Sequence, residues 1–194
     1  NMPPYEGELS LVGDLLHVNE VHDLAVGRIL WDRIGLRNVY CEQVQTFSKL
    51  GRHPLGRVVT VAYYSLIKVE DYKKVAPSDC PLVWKKVDDV GKLAFDHNDI
   101  FDLCLEKLRR QLREHPVGFS LLPKKFTLNQ LQQLYEVILN ISFDKRNFRR
   151  KLKVLDAITD TGEVERDVRH RPAKLYSFDV ERFEASPKNA FMLP

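Results

Sequence analysis

Between Lys145 and Lys153 the chain carries six basic residues and no acid. Lys145, Arg146, Arg149, Arg150 and Lys153 share this run with Asn147. Arginine can grip guanine edges or phosphate, and asparagine can pair with an adenine edge. Such a run therefore suits contact with a nucleic-acid duplex. A helix that is merely solvated usually interleaves acids, because like charges one turn apart repel. The only nearby acid here is Asp144, which has the chemistry of a helix cap. Phe148, Leu152 and Leu155 recur at i, i+4 and i+7, so one stripe of the helix can be buried while the cations face outward. The N-terminal half of such a helix enters the major groove.

A second basic group follows. Arg169-His170-Arg171-Pro172, with Lys174 beyond, reads as a hairpin tip suited to phosphate or the minor groove. Lys124, Lys125 and Asn129 stand earlier, where they could touch the DNA backbone.

These groups need elements to position them. Thr127-Leu128-Asn129-Gln130 has the form of a capping box and predicts a helix over 128–139. A tight connection at 140–143 leads to the basic helix, predicted over 145–155. Residues 159–162 look like a turn, and 163–168 and 173–178 like two strands. Helix, short turn, helix and hairpin is the order of a winged helix-turn-helix. Charge agrees with this division. Residues 1–121 carry 16 basic and 17 acidic side chains, whereas 122–194 carry 14 and 10. The positive excess belongs to the last third, which predicts domains 1–121 and 122–194.

The whole chain has 194 residues, 44% hydrophobic and 29% charged, an ordinary globular balance. No apolar run reaches the ~18 residues of a membrane span, and no signal peptide is visible. Cys41, Cys80 and Cys104 are widely spaced, without zinc-type pairing, which suits a reducing cytoplasm. No cofactor is expected.

The first part mixes strand and helix signals. Strands are predicted at 9–12, 39–47, 57–67, 82–86 and 92–95. Helices are predicted at 20–34 and 99–114, with Gly35 closing the first. Around that first helix, Gly13, Glu20, Arg28 and Gly35-Leu36 resemble the Nudix box, G-x5-E-x7-R-E-U-x-E-E-x-G-U with U a bulky apolar residue. The box's metal-binding glutamates fall on Ile29, Asp32 and Arg33. Ile29 cannot bind a cation and Arg33 would repel one. Glu20 and Asp32 alone are too few hard oxygen ligands for paired Mg²⁺. The resemblance thus implies a Nudix fold without hydrolysis, not an enzyme.

Further segments carry the likeness along nearly the whole chain. They include Leu93-Ala94-Phe95-Asp96-His97, Phe126-Thr127-Leu128 and Arg171-Pro172-Ala173-Lys174-Leu175-Tyr176-Ser177-Phe178. The chain resembles the Nudix-related bacterial transcriptional regulators of the NrtR and AraR kind. That resemblance implies an α+β protein, with a Nudix-type α/β/α sandwich on a mixed sheet followed by a winged helix-turn-helix. The family's opening strand would precede Asn1. The resemblance also implies a homodimer that binds a palindromic operator on double-stranded DNA and is released by a small effector. One branch answers to L-arabinose and governs sugar genes; another answers to ADP-ribose and governs NAD metabolism. The lost metal ligands favour the neutral sugar, with ADP-ribose sensing or an active ADP-ribose pyrophosphatase as alternatives. Effector contacts are expected from Glu8, Asp14, His17, Asn19 and Glu20, with Trp31 or Trp84 as a platform.

Overall fold

The computed structural model describes residues 5–185, apart from 38, 55, 68–81, 167 and 170. The chain forms two compact units, Asn1–Lys107 and Leu108–Pro194.

In the first unit, helix α1 spans His22–Ile34. It stops where the sequence predicts, because Gly35 adopts a left-handed φ of 75° and its N–H bonds back to the Trp31 carbonyl. Its apolar stripe is only partly buried. Ala25 and Ile34 are in the core, but Val21 and Leu24 are 61% and 68% exposed. Strands β1 (Tyr40–Phe47) and β2 (Thr60–Leu66) pair antiparallel. They form the only sheet of this unit among the described residues. The predicted strand at 9–12 is irregular chain. Its Leu9 carbonyl accepts one bond from the Ala94 N–H, and its Leu11 N–H donates to His97 Nδ1, so side chain and loop satisfy it without a ladder. The predicted strands at 82–86 and 92–95 are likewise irregular and flank a short 3₁₀ turn, Val87–Asp89. Gly91 and Phe95 both take positive φ there, which a strand cannot accommodate.

Helix α2 (His97–Glu114) crosses the division between the units. It starts two residues earlier than predicted. Ile100 is buried near its start, and Leu112 near its end is buried in the second core.

That second core holds Leu112, Phe119, Phe126, Leu131, Tyr135, Phe148, Leu152 and Leu155. A 3₁₀ turn, Pro116–Leu121, brings Gly118 against Tyr135. A Cβ on Gly118 would lie 2.9 Å from Tyr135 Cε2, so this close approach needs glycine. Helix α3 (Leu128–Leu139) opens with the predicted capping box: Gln130 N–H donates to Thr127 Oγ1, and Thr127 N–H donates to Gln130 Oε1. Thr127→Ala should therefore cost about 1 kcal/mol, readable as a lower urea midpoint at unchanged slope. Asn140, at φ 54°, ends α3. Gln132 Nε2 and Glu136 Oε1 then bond the Phe143 backbone and fix the turn.

Helix α4 (Lys145–Leu152) begins at the predicted cap, where Asp144 accepts from the Asn147 N–H. It ends three residues earlier than predicted, yet Phe148, Leu152 and Leu155 are all buried. Strands β3 (Ile158–Val164) and β4 (Lys174–Phe178) form the antiparallel hairpin, with an isolated bridge from Phe126 to Tyr176. β3 lies five residues before its predicted start. The turn-like cluster at 159–162 is a bulge inside the strand, where the register shifts between Asp160 and Val164 and Gly162 takes φ 74°. A short helix α5, Val180–Ala185, follows. No helix among the described residues is long and apolar enough to cross a membrane.

Candidate nucleic-acid interface

The basic face of α4 overlooks a cleft of about 740 Å³. Lys145, Arg146, Arg149 and Arg150 line it from α4, Lys153 from the C-cap of that helix, Asn129 from the first turn of α3, and Lys174 from β4. Burial of Phe148 and Leu152 drives the opposite face of α4 inward, so the cations must point out. Asn129 Oδ1 accepts from Arg149 Nη2 at 3.0 Å, which orients that guanidinium from the neighbouring helix. Among the described residues, Arg146, Arg150 and Lys153 have no acidic partner within ion-pair distance. Cations concentrated in a cleft raise the local potential that a polyanion meets.

The predicted contacts do not all converge there. Asn147 faces a smaller hollow of about 390 Å³, with Phe143, Arg150 and Lys151. Arg150 borders both spaces. Lys125 Nζ lies 2.5 Å from Glu163 Oε1, and Lys174 Nζ lies 2.8 Å from Asp160 Oδ2. Each of these lysines holds its acid well below the usual carboxylate range. Arg169 and Arg171 are exposed beyond β3, and His170 lies outside the described residues. Sequence reasoning missed Thr127, Leu128, Ala173 and Tyr176 in the cleft wall. For Tyr176 the signal was strand alternation with Lys174; Thr127 is buried, with its hydroxyl and N–H both used in the capping box, and gave no such signal.

In the first unit the degenerate box is knitted together by arginine. Arg28 donates to both Glu20 oxygens, at 2.8 and 2.9 Å, and to the Leu15 carbonyl. It also lies 4.0 Å from Asp14 and 3.9 Å from Asp32. Arg33 bonds Asp14 at 3.0 Å. His17 donates its N–H to Glu20, while its ring is exposed. Asn19 is exposed on the same loop. Glu8 pairs with Lys92 at 3.7 Å. Arg37 stacks 3.9 Å over the Trp31 ring, and Trp84 is 54% exposed. Asp14, His17 and Glu20 are thus brought together. The residues do not fit the metal pair of a Nudix hydrolase, because the Asp14, Glu20 and Asp32 carboxylates are already engaged by guanidinium groups.

The Arg28 hydrogen bonds hold the Glu20 carboxyl down to about 2. A carboxyl depressed by folding stabilises the fold fully above its unfolded value, near 4.3, and that stabilisation fades as pH falls toward 2. Melting temperatures of wild type and Glu20→Gln should therefore differ at neutral pH and converge over roughly pH 4 to 2.

Comparison with known proteins follows the same lines. Residues 118–178 match the NrtR DNA-binding winged helix domain. The chain is 29% identical over 185 residues to an "ADPR responsive transcriptional repressor NtrR" from Acinetobacter baylyi, covering 93% of this chain and 74% of that one. It is also 29% identical to Shewanella oneidensis NrtR solved with a 27mer DNA, at a TM-score of 0.76, covering 90% of this chain and 81% of that one. A MutT/nudix family protein from Enterococcus faecalis, 23% identical at a TM-score of 0.63, covers 88% of this chain and 73% of itself, and shares the fold. Residues 118–178 thus match the NrtR DNA-binding winged helix domain, and along about nine-tenths of its length the chain is similar to regulators of the NrtR kind.

Proposed function

We propose that this chain is a repressor whose α4 reads an operator in the major groove and whose Nudix-like unit senses ADP-ribose. The observation that carries the reading is the cleft where four α4 cations, Lys153 at the helix C-cap, Asn129 and Lys174 converge in a region that matches the NrtR winged helix domain. Arg146, Arg149 and Arg150 are the base-reading candidates. Lys145, Lys153, Lys174, Arg169 and Arg171 take phosphate roles, and Asn129 positions Arg149.

The effector reading departs from L-arabinose. The Acinetobacter relative is described as responding to ADP-ribose, and nothing comparable supports the sugar. The lost metal ligands do not argue against a diphosphate, because guanidinium can counter phosphate charge directly. Arg33 and Arg37 stand on and just beyond the box helix. With its carboxylates engaged by arginine, the box serves recognition and not turnover. A single α4 reads a short half-site, so a homodimer with two-fold symmetry suits a palindrome.

Thermal shift separates the effectors. ADP-ribose at 100 times its Kd should add about 2.7 kcal/mol and raise the melting temperature by several degrees without added metal, whereas L-arabinose should leave it unchanged. Stabilisation by L-arabinose alone would reverse the assignment. Metal-dependent hydrolysis of ADP-ribose that Glu20→Gln abolishes would make the chain an enzyme.

A further inference from the structure

Two acids of β3 hold basic residues of the second unit, one of them the cleft-lining Lys174. Asp160 lies in the bulge of β3, with Gly162 N–H donating to its Oδ1 and Lys174 holding its Oδ2. Glu163, at the end of the same bulge, holds Lys125. Lys174 lines the cleft, and Asp160 is in register with Tyr176, another residue of the cleft wall. Both pairs are well exposed, at 51% and 48% for Lys125–Glu163 and 67% and 39% for Lys174–Asp160. Exposed pairs of this kind contribute little to stability, so their placement asks for another consequence. A carboxylate within 3 Å of each ammonium offers it the same chemistry as a phosphate oxygen.

We infer that Asp160 and Glu163 are affinity-determining residues, occupying Lys174 and Lys125 as built-in competitors for DNA phosphate. The inference rests on the reading of this cleft as the DNA interface. It separates two kinds of cation: among the described residues Arg146, Arg150 and Lys153 have no acidic partner within ion-pair distance, while Lys125 and Lys174 reach phosphate only by giving up an acid. Because phosphate carries no sequence information, the restraint should weaken binding to every duplex alike. It would keep the winged helix from lodging on bulk DNA.

The test compares wild type with an Asp160→Asn/Glu163→Gln double variant, which keeps side-chain shape and removes both charges. Affinity is read by fluorescence anisotropy against salt. The probes are a random-sequence duplex and a duplex that wild type enriches from a random pool. Freeing two lysines should tighten binding to both probes about tenfold at low salt and steepen the plot of log K against log salt by about 2. The ratio of the two affinities should stay the same. Wild-type binding with an unchanged slope in the variant overturns the inference and leaves the DNA reading intact. Wild type that binds neither duplex overturns both. A purely structural role would lower the melting temperature without moving the slope, and circular dichroism of the variant reads that separately.

Discussion

An Arg146→Ala/Arg150→Ala double variant should lose operator affinity by about thirtyfold or more while remaining folded. A bidentate arginine–base contact discriminates by roughly 1–3 kcal/mol, so losing two such contacts removes about 2–6 kcal/mol, roughly one and a half to four decades of affinity. Both side chains are exposed and line the cleft, and neither belongs to the core. Their removal takes away recognition without opening a cavity. Far-UV circular dichroism and the urea midpoint should match wild type, and titration of an operator duplex should show the loss. The singles should differ in kind. Arg150 borders both the main cleft and the hollow beside Asn147, so Arg150→Ala should cost at least as much as Arg146→Ala. Lys153→Ala, a phosphate contact at the end of α4, should instead weaken all sequences equally and lower the salt slope by about 1.

Phe148→Ala should have the largest effect on stability. Phe148 is 1% exposed and packs at 5.1 Å from the Phe143 ring, in the core beneath α4. Removing a buried phenyl costs about 3–5 kcal/mol, a large share of the 5–15 kcal/mol that typically holds a domain folded. For a domain of this size the melting transition of the second unit should fall by roughly 15 °C or more. DNA binding should fail with it, because α4 is too short to persist without its packed face. A variant with wild-type melting and lost DNA binding would mean that Phe148 touches DNA and not the core.

The two variants separate the faces of one helix, and that separation was legible in the sequence. The i, i+4, i+7 spacing of Phe148, Leu152 and Leu155 fixed which side turns inward, and the missing acids marked the other side as something beyond a solvated surface. Thr127 and Gln130, and Asp144, also announced their helices correctly, because a cap is a local hydrogen-bond rule that needs no distant partner. The hairpin was less legible. Thr-Asp-Thr-Gly at 159–162 has turn chemistry, but Gly162 spends its positive φ on a bulge within β3. Composition alone does not distinguish a turn from a bulge.

Three short strands expected in the first unit were misread for a related reason. Residues 9–12 and 92–95 have strand-like composition, yet they bond through side chains such as His97 Nδ1 and Asn98 Oδ1 and through the single Ala94 N–H to Leu9 carbonyl bond, while 82–86 runs irregularly into the 3₁₀ turn. Such partners are remote in sequence or specific to one loop. The pairing of acids also escaped the sequence. Glu20 reads as an available ligand until the fold brings Arg28 onto both its oxygens. Lys125 and Lys174 likewise read as free cations until the fold brings Glu163 and Asp160 of β3 onto them.

The central claim is that the α4 cleft reads duplex sequence. Selection from a random duplex pool, run in parallel with wild type and the Arg146→Ala variant, tests it most directly. The account predicts that wild type enriches a two-fold symmetric motif, and that the variant enriches the same motif with one position in each half-site relaxed. An identical motif from both proteins would contradict the assignment of α4, and no enrichment by wild type would contradict operator recognition itself.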